Sequence, residues 1–347
     1  MKILSLDLGK YKTVGCDYER ETGEHRFKAS FTTPAALEQL VKEVKPDRVV
    51  IEVCNIAGWV CDRLRVMGVE VQVANPNGDA WKWRKVKKKN DRRDALKVAR
   101  LSAVNQIEEV YIPQIEVRQW RALITFRQQL VRRRGRMKNH IRDLLVSEGE
   151  LLPRGPSCWT KIGMAGLEAM ARPINLVGLN ELWRGQLEIE LRQLKEVQQE
   201  IAAVEEKLDA IAAADPRIKL LRTIPGVGPR LAEAIVALLD RPERFRKASE
   251  VSAYIGMVPK ELDSGETVRR GPITKQGSRL VRSLLVEVAW LGLRHNPWVR
   301  ETYERIRGGK KSRKKIAIVA VGRRLLVRCW AMLRDGTAWR TEIPQAA

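Results

Sequence analysis

The sequence predicts a mixed α/β domain at the N-terminus, a coiled-coil middle of long helices, and a mainly α C-terminal third. Three observations carry this fold class. Short apolar runs that suit buried strands alternate with helical spacing through the first 112 residues. Two long stretches then repeat apolar residues at helical intervals. The last third sets a Pro-Gly turn between helical segments. The expected domains are 1–112, 113–215 and 216–347.

In order, Lys2 to Leu8 alternates around Ile3, Leu4 and Leu6, and Thr13 to Asp17 resumes after Gly9 as the second arm of a hairpin. Arg26 to Thr32 reads as a third strand, and Pro34 to Val44 as a helix capped by Thr33. Arg48 to Val53 and Val69 to Ala74 are near-continuous apolar runs of the kind buried in a sheet, with a helix between them over Trp59 to Met67. A basic tract from Lys82 to Arg93 leads into a helix near Asp91 to Leu101. Val117 to Leu145 is a long basic helix. Pro153 to Pro173, rich in Gly and Pro, reads as a linker or irregular insertion.

Leu187 to Ile211 places Leu194, Ile201 and Leu208 seven apart, which suits either an antiparallel or intermolecular coiled coil or an amphipathic helix in a bundle. Ile224-Pro225-Gly226-Val227-Gly228-Pro229 then enters a helix over Leu231 to Leu239, the pattern of a helix-hairpin-helix element. Free backbone N–H groups at such a helix start hold phosphate without reading sequence, which marks Gly226 and Gly228. Pro259 to Gly271 is expected as a loop, followed by a helix over Arg279 to Leu293. A basic stretch from Gly308 to Lys315 leads into an apolar terminal helix.

The chain has 65 Lys and Arg against 42 Asp and Glu, a net charge of +23. That excess calls for a polyanionic partner. Candidate nucleic-acid contacts are Lys87, Lys88 and Lys89, then Arg132, Arg133 and Arg134, then Arg269, Arg270, Lys310 and Lys311. Trp81 and Trp83 interleave with the first tract and are candidates for base stacking, whereas Trp120 suits a core. The longest aliphatic run near the C-terminus, Ile316 to Val321, is too short to span a bilayer, so a cytoplasmic location without membrane contact is expected. Five cysteines without a Cys-x-x-Cys pair are expected as reduced thiols.

Four carboxylates have positions that mean something together. Asp7 ends the first strand, Glu52 ends a buried strand, and Asp91 and Asp94 share a helix face. An acid ending a buried strand is costly unless paired, solvated or metal-bound. Hard oxygen ligands from separate elements suit Mg²⁺ or Mn²⁺ held against a phosphodiester. Taken singly, each acid has a plainer explanation as a turn residue, a cap, or a surface partner of Arg92, Arg93 or Lys97.

Leu6-Asp7-Leu8-Gly9-Lys10, Val50-Ile51-Glu52 and Lys89 to Ala95 resemble the DEDD, RuvC-like (RNase H-like) catalytic domain of bacterial insertion-sequence transposases of the "one-ten" family. Ile224 to Gly228, Tyr254 to Pro259, Asp263-Ser264-Gly265 and Lys275 to Leu285 are similar to that family's second, transposase domain. After Glu52 the chain departs from the family's small Ala-Thr-Gly context, reading Val53-Cys54-Asn55-Ile56-Ala57-Gly58. The resemblance implies an RNA-guided DNA recombinase, in which a structured bridge RNA pairs with target and donor DNA. It implies metals at Asp7, Glu52, Asp91 and Asp94, and Ser264 as the nucleophile forming a phosphoserine intermediate. It also implies dimers assembling into tetramers, with acids and serine drawn from different protomers and the long helices as dimerisation elements. Two rivals stand beside it: a metal-dependent nuclease or junction resolvase in which water attacks, and a non-catalytic nucleic-acid-binding protein. Residues only from sequence also name Ser278 and Ser283 as alternative serines embedded in the following helix.

Overall fold

The computed structural model describes residues 1–76, 78, 90–150, 152–153, 155–264 and 267–340, and for 261–264 and 267–270 the backbone alone. It contains two compact units, Met1–Gln119 and Trp120–Ala347.

The first unit is a five-stranded sheet with helices on both faces. β1 (Lys2–Leu8), β2 (Lys12–Glu19) and β3 (His25–Phe31) form an antiparallel meander, and β4 (Arg48–Glu52) and β5 (Glu70–Ala74) add parallel to β1, in the order β3-β2-β1-β4-β5. Gly9 makes the first turn possible: a Cβ there would meet the Lys12 carbonyl oxygen at 2.4 Å. α1 (Pro34–Val44) begins as expected, with Thr33 accepting from the Ala36 N–H at 3.3 Å. α1 and α2 (Ala57–Val66) cover one face, where Leu4, Leu6, Val49, Ile51 and Val73 are buried. α3 (Asp91–Ala103) covers the other, with Ala95, Val98 and Ala99 against Ile3, Cys16 and Val50. Alternation along each strand divides the two faces.

In the second unit, α4 (Ile115–Ser147, whose first residues belong to the first unit) and α6 (Leu182–Ala214) pair within the chain. Leu130, Met137, Ile141 and Leu145 share one core with Leu187, Leu191, Leu194, Val197 and Ile201. Arg127 meets Glu205 and His140 meets Glu190, so partner numbers fall as α4 advances and the pairing is antiparallel. Of the arrangements left open by the seven-residue repeat, the seam is thus filled intramolecularly.

The stretch expected as a linker or an irregular insertion is no linker: it carries α5 (Lys161–Met170), capped by Thr160 and anchored by buried Leu167. Its glycines misled the sequence reading, and Gly163 serves a close approach: a Cβ there would meet the Cys158 carbonyl oxygen at 2.4 Å. A second correction concerns the expected loop from Pro259 to Gly271. It is a β-hairpin of β6 (Pro259–Ser264) and β7 (Thr267–Ile273), paired from Pro259↔Ile273 to Ser264↔Thr267.

The unit's other helices are α7 (Pro216–Leu221), α8 (Pro229–Leu239), α9 (Ala248–Tyr254), α10 (Arg279–His295), α11 (Pro297–Arg307) and α12 (Lys314–Asp335). They share a core that includes Ile218, Ile235, Val251, Leu285, Val299 and Leu325. Buried Asn296 ties α11 to the turn before α8, donating to the Pro225 carbonyl at 3.1 Å and accepting from the Val299 N–H at 3.3 Å. Glu233 of α8 is only 1% exposed and accepts from Arg230 at 3.1 Å, while Arg230 also meets Asp209. Burial pushes the Glu233 carboxyl up to about 7, with Arg230 opposing and Asp209 adding to the rise.

Candidate metal and nucleic-acid site

The parallel register of β1 and β4 ends its ladder at Leu6↔Ile51, which sets Asp7 and Glu52 side by side one residue further on. Each follows two residues after a side chain that faces α3, Ser5 and Val50 respectively, so both acids lie on the α3 face at the strands' C-terminal ends. The helix is pinned there by Ser5, fully buried, whose Oγ donates to the Ala95 carbonyl at 2.6 Å.

Asn90 caps α3 by accepting from the Arg92 N–H at 3.0 Å, leaving Asp91 and Asp94 in the first turn. There the helix N-terminus favours negative charge. Asp94 is half-buried one residue before the sheet-facing Ala95, and Asp91 is exposed one turn earlier. Lys97, one turn after Asp94, is half-buried: burial pushes its ammonium below the usual lysine range, while Asp94 and Glu52 pull it back up. Its charge therefore lies within reach of acids from both the helix and the sheet.

The fold thus brings Asp7, Glu52 and Asp94 to one end of the sheet, with Asp91 at its margin. Among the described residues no three His, Cys, Asp or Glu side chains already form a closed metal cage. Asp7, Glu52 and Lys97 all have interaction partners. The donor chemistry nonetheless suits a hard divalent cation: carboxylates only, from a strand pair and a helix start. Lys97 was read from sequence as a surface partner of the helix acids, and its approach to Glu52 was missed, because a helical face does not reveal which strand end lies opposite.

The other sequence candidates divide. Lys87, Lys88, Lys89, Trp81 and Trp83 lie outside the described residues. Ser264 is the last residue of β6, and Arg269 and Arg270 belong to β7, their side chains outside the described part. Gly226 (φ 89°) and Gly228 are exposed, and a Cβ on Gly228 would meet nothing within 4 Å, leaving the start of α8 open. Arg132 and Arg133 are exposed on α4 and Arg134 is half-buried; Lys310 and Lys311 are exposed before α12. Trp120 is buried in the core, as expected. The cysteines are free thiols, all buried except Cys54. Ser278 is not embedded in a helix but caps α10, accepting from the Val281 N–H, and Ser283, within α10, is exposed.

Two family models match this chain. Residues 4–148 match a model of transposases whose name joins the DEDD motif to IS110, and residues 218–304 match one described as "Transposase IS116/IS110/IS902 family". The chain belongs to the IS110 family of insertion-sequence transposases. The first match contains the sheet from Leu4 onward and all four acids, and the second contains the Pro-Gly turn and the serine hairpin. Among similar proteins, the transposase for insertion sequence element IS1111A of Coxiella burnetii is 28% identical over 98% of this chain and 92% of its own length. A probable family 20 transposase of Pseudomonas aeruginosa is 27% identical over 88% of this chain and 89% of its own. A putative transposase of Sinorhizobium fredii is 27% identical over 88% and 77%. Membership makes DNA the substrate of this transposase. Among the described residues no helix is long and apolar enough to cross a membrane.

Proposed function

We propose that this transposase is an RNA-guided DNA recombinase whose N-terminal RNase H-like domain activates a phosphodiester for attack by Ser264. The observation that carries it is the register of β1 and β4, which sets Asp7 beside Glu52 under the acidic start of α3. Asp7, Glu52 and Asp94, with Asp91 at the margin, would hold Mg²⁺ or Mn²⁺. A bound divalent ion supplies charge neutralisation at the phosphoryl oxygens and favours loss of the serine proton. The expected domains remain 1–112 for the acids, 113–215 for the long helices and 216–347 for the serine.

The chain's own residues do the rest. Ser264 Oγ forms a bond to phosphorus as the bond to one bridging DNA oxygen breaks. That oxygen takes a proton from solvent and leaves as a hydroxyl, and the serine proton passes to solvent. Attack by a second DNA hydroxyl on the phosphoserine restores the serine and rejoins strands. Arg269 and Arg270, on the strand paired with β6, suit the extra charge on phosphorus. The open start of α8 and the exposed arginines of α4 suit backbone contacts, leaving sequence choice to a guide RNA paired with target and donor DNA. A filled intramolecular seam means that the proposed dimers and tetramers use other faces than the Leu194-Ile201 stripe.

The test is a covalent protein–DNA adduct, trapped by denaturation during reaction with DNA carrying the element's ends. It is expected from the parent chain and lost in Ser264→Ala. An adduct that persists in Ser264→Ala removes the serine from the nucleophile's role.

A further inference from the structure

The terminal helix α12 reads in sequence as an apolar core element, yet one side of it lines a cavity of about 440 Å³ shared with α9 and α11. Arg323, Arg324 and Arg328 reach this cavity, opposite Ser249 and beside an apolar wall that includes Val258 and Trp298. Among the described residues no carboxylate lines it. Arg328 is held between two indoles, its guanidinium 4.8 Å from the Trp298 ring centre and 4.1 Å from that of Trp339. One of its amino groups donates to the Arg340 carbonyl at 3.0 Å, while its Nη1 is buried with no hydrogen-bond partner among the described residues. Burial lowers the pKa of Arg324 and Arg328, and for Arg324 the neighbouring Arg305 and Arg323 lower it further.

Positive charge gathered in a partly desolvated cavity, with no acid among the described residues that line it, is unfavourable until an anion arrives. A bidentate guanidinium matches a phosphate best. The apolar wall adds a second requirement, since a bare inorganic anion gains nothing from Val258 and Trp298. A nucleotide does, and an unpaired one reaches into a concavity that a stacked duplex base does not enter. Val258 directly precedes β6, so the cavity lies at the root of the hairpin whose first strand ends in Ser264.

We propose that Arg323, Arg324 and Arg328 form a seat for a backbone phosphate of an unpaired nucleic-acid strand, anchoring it at the root of the serine hairpin. The seat requires that nucleic acid is the substrate, but not that Ser264 is the nucleophile. Loss of the covalent adduct would therefore leave it standing.

The test is fluorescence anisotropy of the full chain with labelled oligo-dT and with a blunt duplex, across a salt series. In R323Q/R324Q the log–log salt slope for oligo-dT is expected to fall by about 0.7 to 1.4, one to two phosphate contacts at about 0.7 each. The duplex slope should change less, the melting temperature should stay at the parent's value, and R323K/R324K should restore the slope. Inorganic phosphate, added as competitor, should displace oligo-dT only at concentrations that match its ionic-strength effect. An unchanged oligo-dT slope overturns the seat. So does an equal loss on the duplex, a loss that appears only with a lowered melting temperature, or specific displacement by inorganic phosphate alone.

Discussion

Glu233→Gln should make this protein more stable at alkaline pH while barely changing it near pH 4.5. Glu233 is 1% exposed on α8, and burial raises its carboxyl from the ordinary 4.5 to about 7. The sign follows from which state holds the proton. Between pH 4.5 and 7 the folded chain keeps a proton that the unfolded chain has lost, so stability is full below 4.5 and declines as pH rises through 7. At about 1.4 kcal/mol per tenfold change in proton affinity, the decline totals about 3 kcal/mol. Glutamine mimics the protonated carboxyl, and Arg230 keeps Asp209 as its partner. The stability difference between variant and parent should therefore grow by about 2 to 3 kcal/mol from pH 5 to pH 8, the range in which most of that decline falls. Taking the difference removes the opposing contributions of Glu43 and Asp335, whose pKa values are lowered and which stabilise as pH rises. Urea denaturation of both proteins at the two pH values measures it. A difference independent of pH would refute the raised carboxyl and with it the claim that burial outweighs Arg230.

Two further substitutions probe the scaffold. Ser5→Ala removes the hydrogen bond that pins α3 to the sheet, and should cost about 1 kcal/mol of stability while slowing strand cleavage and sparing nucleic-acid affinity; cleavage at the parent's rate would detach the placement of α3 from activity. Leu194→Ala, at a fully buried point of the α4–α6 seam, should cost about 2 to 5 kcal/mol without changing the oligomeric state seen by light scattering. Loss of a dimer with unchanged stability would place that seam between subunits instead.

The strands and helices were legible because their periodicities differ: Ile3, Leu4 and Leu6 fall in a short apolar run, and the Leu194 repeat spans many turns. Asp7 and Glu52 were legible as strand ends, since an acid closing an apolar run stands out on any reading. Their adjacency was not, because it depends on a parallel register that no local pattern encodes. The same holds for Lys97, whose approach to Glu52 is a tertiary fact. Gly and Pro misled in two places. Gly163 in α5 permits close backbone approach rather than marking a linker, and Pro259 and Gly271 stand within paired strands rather than bounding a loop. Arg323, Arg324 and Arg328 were overlooked because the apolar residues around them dominate the helix, although Arg324 and Arg328, four apart, share a face.

The placement of the acids is tested most directly by cleavage of supercoiled DNA carrying the element's ends, in Mg²⁺, by the parent chain and by Asp7→Asn. The side chain stays the same size, so the β1–β4 ladder and nucleic-acid affinity should survive, while cleavage should fall by a factor on the order of 100 or more. Cleavage by Asp7→Asn at the parent's rate, with affinity intact, would contradict a catalytic site at the paired ends of β1 and β4.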